Sequence, residues 1–173
     1  MNVILEILKY ILPAIIVLIS SWVIIKQMVK NDQNRRNYET VTKNQQMILP
    51  VRLQAYERLT LLMERIAPEA LVMRVNKPSM TAKQLQGEIL SCIRTEFDHN
   101  VSQQVYITPK TWEIIKSSRT NIIKLINKTS SRIKPNAPAY ELSKAILEDV
   151  VALEKSPENI ALNALKAEIR QLY

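Results

Sequence analysis

The chain has 173 residues, 24 Lys plus Arg against 16 Asp plus Glu for a net charge of +8, and one each of Gly, His and Cys. A single Gly leaves no glycine-rich phosphate loop and almost none of the tight hairpin turns that need it. One His and one Cys exclude a zinc finger, a Cys–His metal site and an internal disulfide, so an all-α chain leads and no cofactor is expected.

The first element is apolar. Residues 10–25 (YILPAIIVLISSWVII) are 16 positions without a charge, about 24 Å as a helix. Extended back to Val3 the run has 23 residues and takes in Glu6 and Lys9, which are three apart and can pair or reach the headgroups. A membrane span needs about 20 residues. Tyr10 and Trp22 lie near opposite ends, where interfacial aromatics belong, and Pro13 falls in the first third, where a kink is tolerated. A cleaved signal peptide would carry its bases before the apolar core; here they follow it. Residues 1–25 are therefore expected to be a transmembrane anchor, ahead of a signal peptide or a buried core helix.

The flanks set the expected topology. One base, Lys9, precedes the run, and Lys26, Lys30, Arg35, Arg36 and Lys43 follow within 18 residues. The positive-inside rule then places the amino terminus outside and the rest in the cytoplasm, a reducing compartment that suits the lone Cys92. Residues 26–48 are poor in apolar positions and read as a basic juxtamembrane stalk or linker, helical because nothing breaks it before Pro50.

From residue 49 on, prolines punctuate the chain, each near the start of a run with helical periodicity. Residues 50–66 place Ala55, Tyr56, Leu59, Leu62, Met63 and Ile66 on one stripe, with Leu53 and Leu61 off it. Residues 82–98 do the same with Leu85, Ile89, Ile93 and Phe97, and Thr81 with Gln84 makes a capping box. Residues 109–133 use Trp112, Ile115, Ile122, Ile126 and Ile133, with Thr108 as cap. Residues 138–154 use Leu142, Ala145, Ile146, Val150 and Leu153. Residues 157–172 use Ala161, Leu165, Ile169 and Leu172, with Ser156 as cap and Glu158 in the first turn. Segments 71–75 and 101–107 are short and β-branched. They read as ordered connections, the first a short helix, with a small ribbon as the alternative. The expected fold is all-α: one amino-terminal transmembrane helix, a polar stalk, then a compact bundle of about five helices over 49–173, long enough to bury one core.

Charge is the most informative remaining feature. Residues 109–134 hold seven bases against one acid, a local +6; residues 26–43 carry +3 and residues 135–173 carry −2. On a helical wheel Lys124, Lys128 and Arg132 fall within about 40° of Lys110, away from the apolar stripe. Four readings compete for this basic face, in this order: solvated surface, membrane lipid, an acidic protein partner and nucleic acid, which lacks any recognised motif here.

Catalytic readings are thin. Asp98–His99 has only its local order to suggest an acid–base pair. Cys92 sits beside an apolar stripe, where a small core residue is expected. Glu148 and Asp149 read as ordinary surface carboxylates.

LPVRLQAYERLTLLMERI (49–66), MTAKQLQ (80–86), RTEFDHNVSQQVYIT (94–108), ELSKAILE (141–148) and LKAEIRQLY (165–173) resemble an uncharacterised family of short single-pass membrane proteins from Bacteroidota, a domain of unknown function. The resemblance implies an inner-membrane setting and no activity. It singles out RLQAYERL and EFDHNVSQQVYI, which are expected to pack together or share a surface. The expected function is a non-enzymatic, membrane-anchored cytoplasmic adaptor or accessory subunit of an inner-membrane assembly, with protein partners. The alternative is a membrane-tethered nucleic-acid or ribosome-binding module using helix 109–134.

Overall fold

The computed structural model describes the backbone of residues 2–172 and, in that range, the side chains outside 2–10, 12–14, 34, 37–46 and 172. Glu6, Lys9, Tyr10, Pro13, Lys43 and Leu172 therefore lie outside the described side chains. The chain divides into two compact units, Met1–Leu49 and Pro50–Tyr173.

The described residues of the first unit are helical throughout. This unit holds the early part of α1 (Asn2–Ile66), which also runs through 26–48, the segment read as a stalk or linker. Ile15 to Ile19 and Trp22 to Ile25 are exposed. Among the described residues no helix is long and apolar enough to cross a membrane. This overturns the transmembrane anchor over 1–25, the single-pass reading and the inner-membrane localisation with its topology. The physical reason is length. The uncharged run, residues 10–25, has 16 residues, about 24 Å of helix where the hydrocarbon core is about 30 Å. Lys26, Lys30 and Asp32 follow at once. Lys26, Lys30, Arg35 and Arg36 thereby lose the topology-setting role expected of them, and Trp22 that of an interfacial aromatic. Lys26 instead lies 4.8 Å from the Trp22 ring centroid, and Arg36 pairs with Asp32 at 3.0 Å.

The second unit takes the end of α1, α2 (Pro68–Val75), α3 (Ala82–Asn100), a 3₁₀ segment (Val101–Tyr106), α4 (Pro109–Ser130), α5 (Ala139–Val151), α6 (Pro157–Ile169) and a final 3₁₀ turn (Arg170–Leu172). Proline stands in the first turn of α2, α4 and α6, where its missing N–H leaves nothing unpaired. Thr81 and Gln84 form the expected capping box: the Gln84 amide donates to Thr81 Oγ1 at 3.3 Å and the Thr81 amide to Gln84 Oε1 at 2.9 Å. Thr108 caps α4 by accepting from the Thr111 amide at 3.3 Å. Ser156 occupies the cap position of α6 without a side-chain cap bond. Segment 71–75 is helical and 101–106 is 3₁₀, so neither makes a ribbon. The one isolated bridge among the described residues joins Thr81 to Pro138, flanked by amide bonds from Ala82 to the Ala137 carbonyl (2.8 Å) and from Ala139 to that of Met80 (3.0 Å). No described residue has a positive φ, which is why helices joined by Pro, Ser, Thr and Asn manage with one Gly.

The stripes close on one core. Leu59, Leu62, Met63 and Ile66 of α1 meet Leu85, Ile89 and Ile93 of α3, Ile115, Ile122 and Ile126 of α4, and Leu142 and Ile146 of α5. α4 is central, packing on α3, α5 and α6, and α2 packs on α3 and α5. Each fully buried Leu or Ile contributes about 1.5–3 kcal/mol. Within α5 and α6 the stripe residues Ala145 and Ile169 are half-buried, and the stripes fail where a helix stops short of the periodic run. Leu153 lies beyond the end of α5 and is 39% exposed, and Ile133 lies beyond the end of α4 and is half-buried. Leu61, off its stripe, is exposed.

Candidate interaction surface

α4 carries most of the predicted basic face but does not present it as one patch. Lys110 stands in the first turn, and Lys124 and Lys128 stand in the last two, all exposed. Fourteen positions separate Lys110 from Lys124, about 21 Å along the axis. Lys124 and Lys128 are one turn apart, about 6 Å. Arg132 is not on the helix, which ends at Ser130. It turns back and pairs with Asp149 of α5, which also accepts from the Thr129 hydroxyl. The hydrogen bond from Arg132, then that from Thr129, hold the Asp149 carboxyl below its usual range. Asp149 is thus a half-buried fastener of α4 to α5 rather than a plain surface acid. Glu148 remains exposed, 3.8 Å from Lys144. Two other bases of α4 are engaged: Lys116 with Glu113 at 2.6 Å, and Arg119 over the Phe97 ring at 4.2 Å, itself stacked on Trp112.

A polar hollow of about 350 Å³ opens beside the last turns of α4. Lys83, Gln86, Asn127, Ser130 and Ser131 line it with Ile133 and Pro135. Gln86 ties it together, donating to Asn127 Oδ1 and accepting from Ser130 Oγ, both at 2.8 Å. Lys83 is the one lysine that lines it; Lys124 and Lys128 stand three residues before and one after the lining residue Asn127.

A second constellation joins three helices. Glu168 of α6 is 8% exposed. Its Oε1 accepts from the Tyr56 hydroxyl of α1 at 2.7 Å and the Thr108 amide at 2.8 Å, and its Oε2 from the Thr108 hydroxyl at 2.7 Å. Burial pushes its carboxyl up, and the bonds from Thr111, Tyr56 and Thr108 outweigh that and hold it below the usual range. The site is the amino terminus of α4, where the helix dipole favours an anion. Tyr56 is pushed up to about 12, by burial first and then by its bond to Glu168. Arg52 completes the group, donating to Tyr56 Oη at 3.3 Å and to the Tyr106 carbonyl at 3.2 Å. This last bond links RLQAYERL to EFDHNVSQQVYI; beyond the first block, Arg65 of α1 pairs with Glu96 of α3 at 3.2 Å, with Arg74 of α2 at 3.8 Å.

A third feature is the reverse of the second. Glu158, in the first turn of α6, is 9% exposed, and its Oε2 is buried without a hydrogen-bond partner. It lines a groove of about 520 Å³ with Glu69 of α2, Glu154, and the aliphatic Val151, Leu153 and Ile160.

A family model matches residues 2–172. The chain belongs to DUF7935, a family of unknown function. The match gives neither a bacterial group nor a membrane setting, and no curated protein or solved structure matches the chain. The functional reading of this DUF7935 member therefore rests on its own residues.

The catalytic candidates are not brought together. His99 is exposed near the end of α3, and Cys92 is half-buried with its Sγ 3.5 Å from Arg74 Nη2. Among the described residues no three His, Cys, Asp or Glu are grouped to hold a metal ion. Sequence reasoning missed Glu168 and the buried state of Glu158. The signal was present: positions 158, 161, 165 and 168 share one helical stripe, so both acids fall on the apolar side of α6. A tyrosine in the stripe of α1 likewise asks for a partner for its hydroxyl.

Proposed function

We propose that this chain is a non-enzymatic adaptor or accessory subunit that holds an acidic segment of a partner protein on the carboxy-terminal end of α4. The observation that carries this reading is the exposed pair Lys124 and Lys128 in the last turns of α4, with Asn127 between them in the chain lining a polar hollow that also holds Lys83 and the hydroxyls of Ser130 and Ser131. Lysines one turn apart can meet carboxylates spaced along a peptide, and the amides and hydroxyls can satisfy its backbone. Lys110 is too distant to join the same contact, and Arg132 is already committed to Asp149.

The test is a titration of the full chain with a labelled Asp/Glu-rich peptide and, in parallel, a single-stranded RNA. The acidic peptide should bind, and Lys124→Glu with Lys128→Glu should weaken it about tenfold or more. Tighter binding of the RNA, lost in the same double variant with a steep salt dependence, would replace the adaptor reading by the nucleic-acid one. No binding of either would leave α4 a solvated face and end the proposal.

A further inference from the structure

We propose that the groove at the start of α6 is a second docking site, for an arginine-bearing aliphatic segment of a partner protein. It is built on Glu158. A buried carboxylate oxygen without a donor is rare, because desolvation is then uncompensated, and Glu158 Oε2 is one. The same groove gathers the carboxylates of Glu69 and Glu154 against one internal cation, Lys155. These acids come from α2, the α5–α6 turn and α6 and do not group as metal ligands among the described residues. A spread of acceptors suits an extended planar cation with five donors better than a point charge.

The aliphatic part of the occupant follows from the groove walls. Val151 is 82% exposed, and Leu153 and Ile160 are exposed beside it. Apolar side chains around a desolvated charged anchor are how binding hot spots are built, and arginine is among the residues enriched at them. The site does not depend on the basic end of α4. It also runs against the overall charge, since a chain of +8 repels a cationic peptide everywhere except at a local acidic site.

The experiment is fluorescence anisotropy of the full chain with a labelled amphipathic Leu/Arg peptide, and with the same peptide carrying citrulline, the neutral isostere, at every Arg. The Leu/Arg peptide should bind saturably and the citrulline peptide at least about tenfold more weakly. Glu158→Gln and Glu154→Gln should each weaken the Leu/Arg peptide several-fold, and Lys155→Gln should tighten it. Lys124→Glu with Lys128→Glu should leave it unchanged or tighter, which separates this site from the one on α4. Equal affinity for the two peptides, or unchanged affinity when Glu69, Glu154 and Glu158 are all Gln, would overturn the proposal, as would the absence of saturable binding. Should Glu158→Gln unfold by circular dichroism, Glu69→Gln with Glu154→Gln carries the same test. Sedimentation of the free chain as a dimer broken by Glu154→Gln would assign the groove to a second copy and overturn the hetero-partner reading.

Discussion

The two buried glutamates of α6 are the same residue at nearly the same burial, one near each end of one helix, and their surroundings differ completely. Glu168 accepts three hydrogen bonds, one from Tyr56 and two from Thr108, meets the dipole of α4, and joins α1, α4 and α6. Glu158 meets no donor at Oε2 and faces an open groove. Burial alone therefore says little about what a carboxylate is for. The partners decide: a carboxylate whose lone pairs are filled from within fastens the fold, and one left unfilled does not. The same distinction sorts the bases of α4. Arg132 and Lys116 are spent on Asp149 and Glu113, whereas Lys124 and Lys128 stand exposed in the last turns of α4.

The largest expected effect lies at the filled site. Glu168→Gln puts an amide N–H₂ among donors and removes a charge that several bonds depend on. It should cost about 2–4 kcal/mol in urea unfolding, since hydrogen bonds to charged groups contribute about 1.5–3 kcal/mol each and the freed donors stay buried. Its acid limb should also flatten. A carboxyl held below its usual range stabilises the fold fully above the unfolded-state value and loses that contribution as pH falls through the folded one, so the wild type should lose more stability than the variant on acidification below about pH 4.

Tyr56→Phe should come next, about 1–2 kcal/mol, for one bond to a charged acceptor. Tyr56 is pushed up to about 12, so its contribution is complete below the unfolded-state value near 10 and is lost as pH rises through the folded one. The wild type should lose stability between about pH 10 and 12 by more than Tyr56→Phe does, read by circular dichroism at fixed urea.

Smallest of all should be Glu158→Gln. It removes no internal bond to Oε2, so its effect on unfolding should stay within about 0.5 kcal/mol or be stabilising. A loss as large as that of Glu168→Gln would erase the contrast between the two ends of α6.

Much of the fold was legible because periodicity and caps agree. The stripes of 50–66, 82–98 and 109–126 are buried as expected, and Thr81 and Thr108 cap where their spacing says. The errors have local causes. Leu153, Ile133 and Arg132 continue a periodic pattern past the residue where the helix ends, so a wheel drawn through them misplaces all three. The membrane anchor rested on an uncharged run, residues 10–25, of 16 residues, short of the roughly 20 that a span needs. Asp149 looks like a surface acid beside Glu148, and only tertiary packing with Arg132 and Thr129 turns it inward. The α4 site was half legible. Its charge excess is plain in the sequence, but Lys83 and Gln86 join it from α3, a contact no local pattern carries.

The central claim is that Glu168 is consumed by the fold and Glu158 is not. The most direct measurement is urea unfolding of Glu168→Gln and Glu158→Gln side by side at neutral pH. The account predicts a midpoint well below wild type for the first and at or above wild type for the second; equal losses in both, or a loss confined to Glu158→Gln, would contradict it.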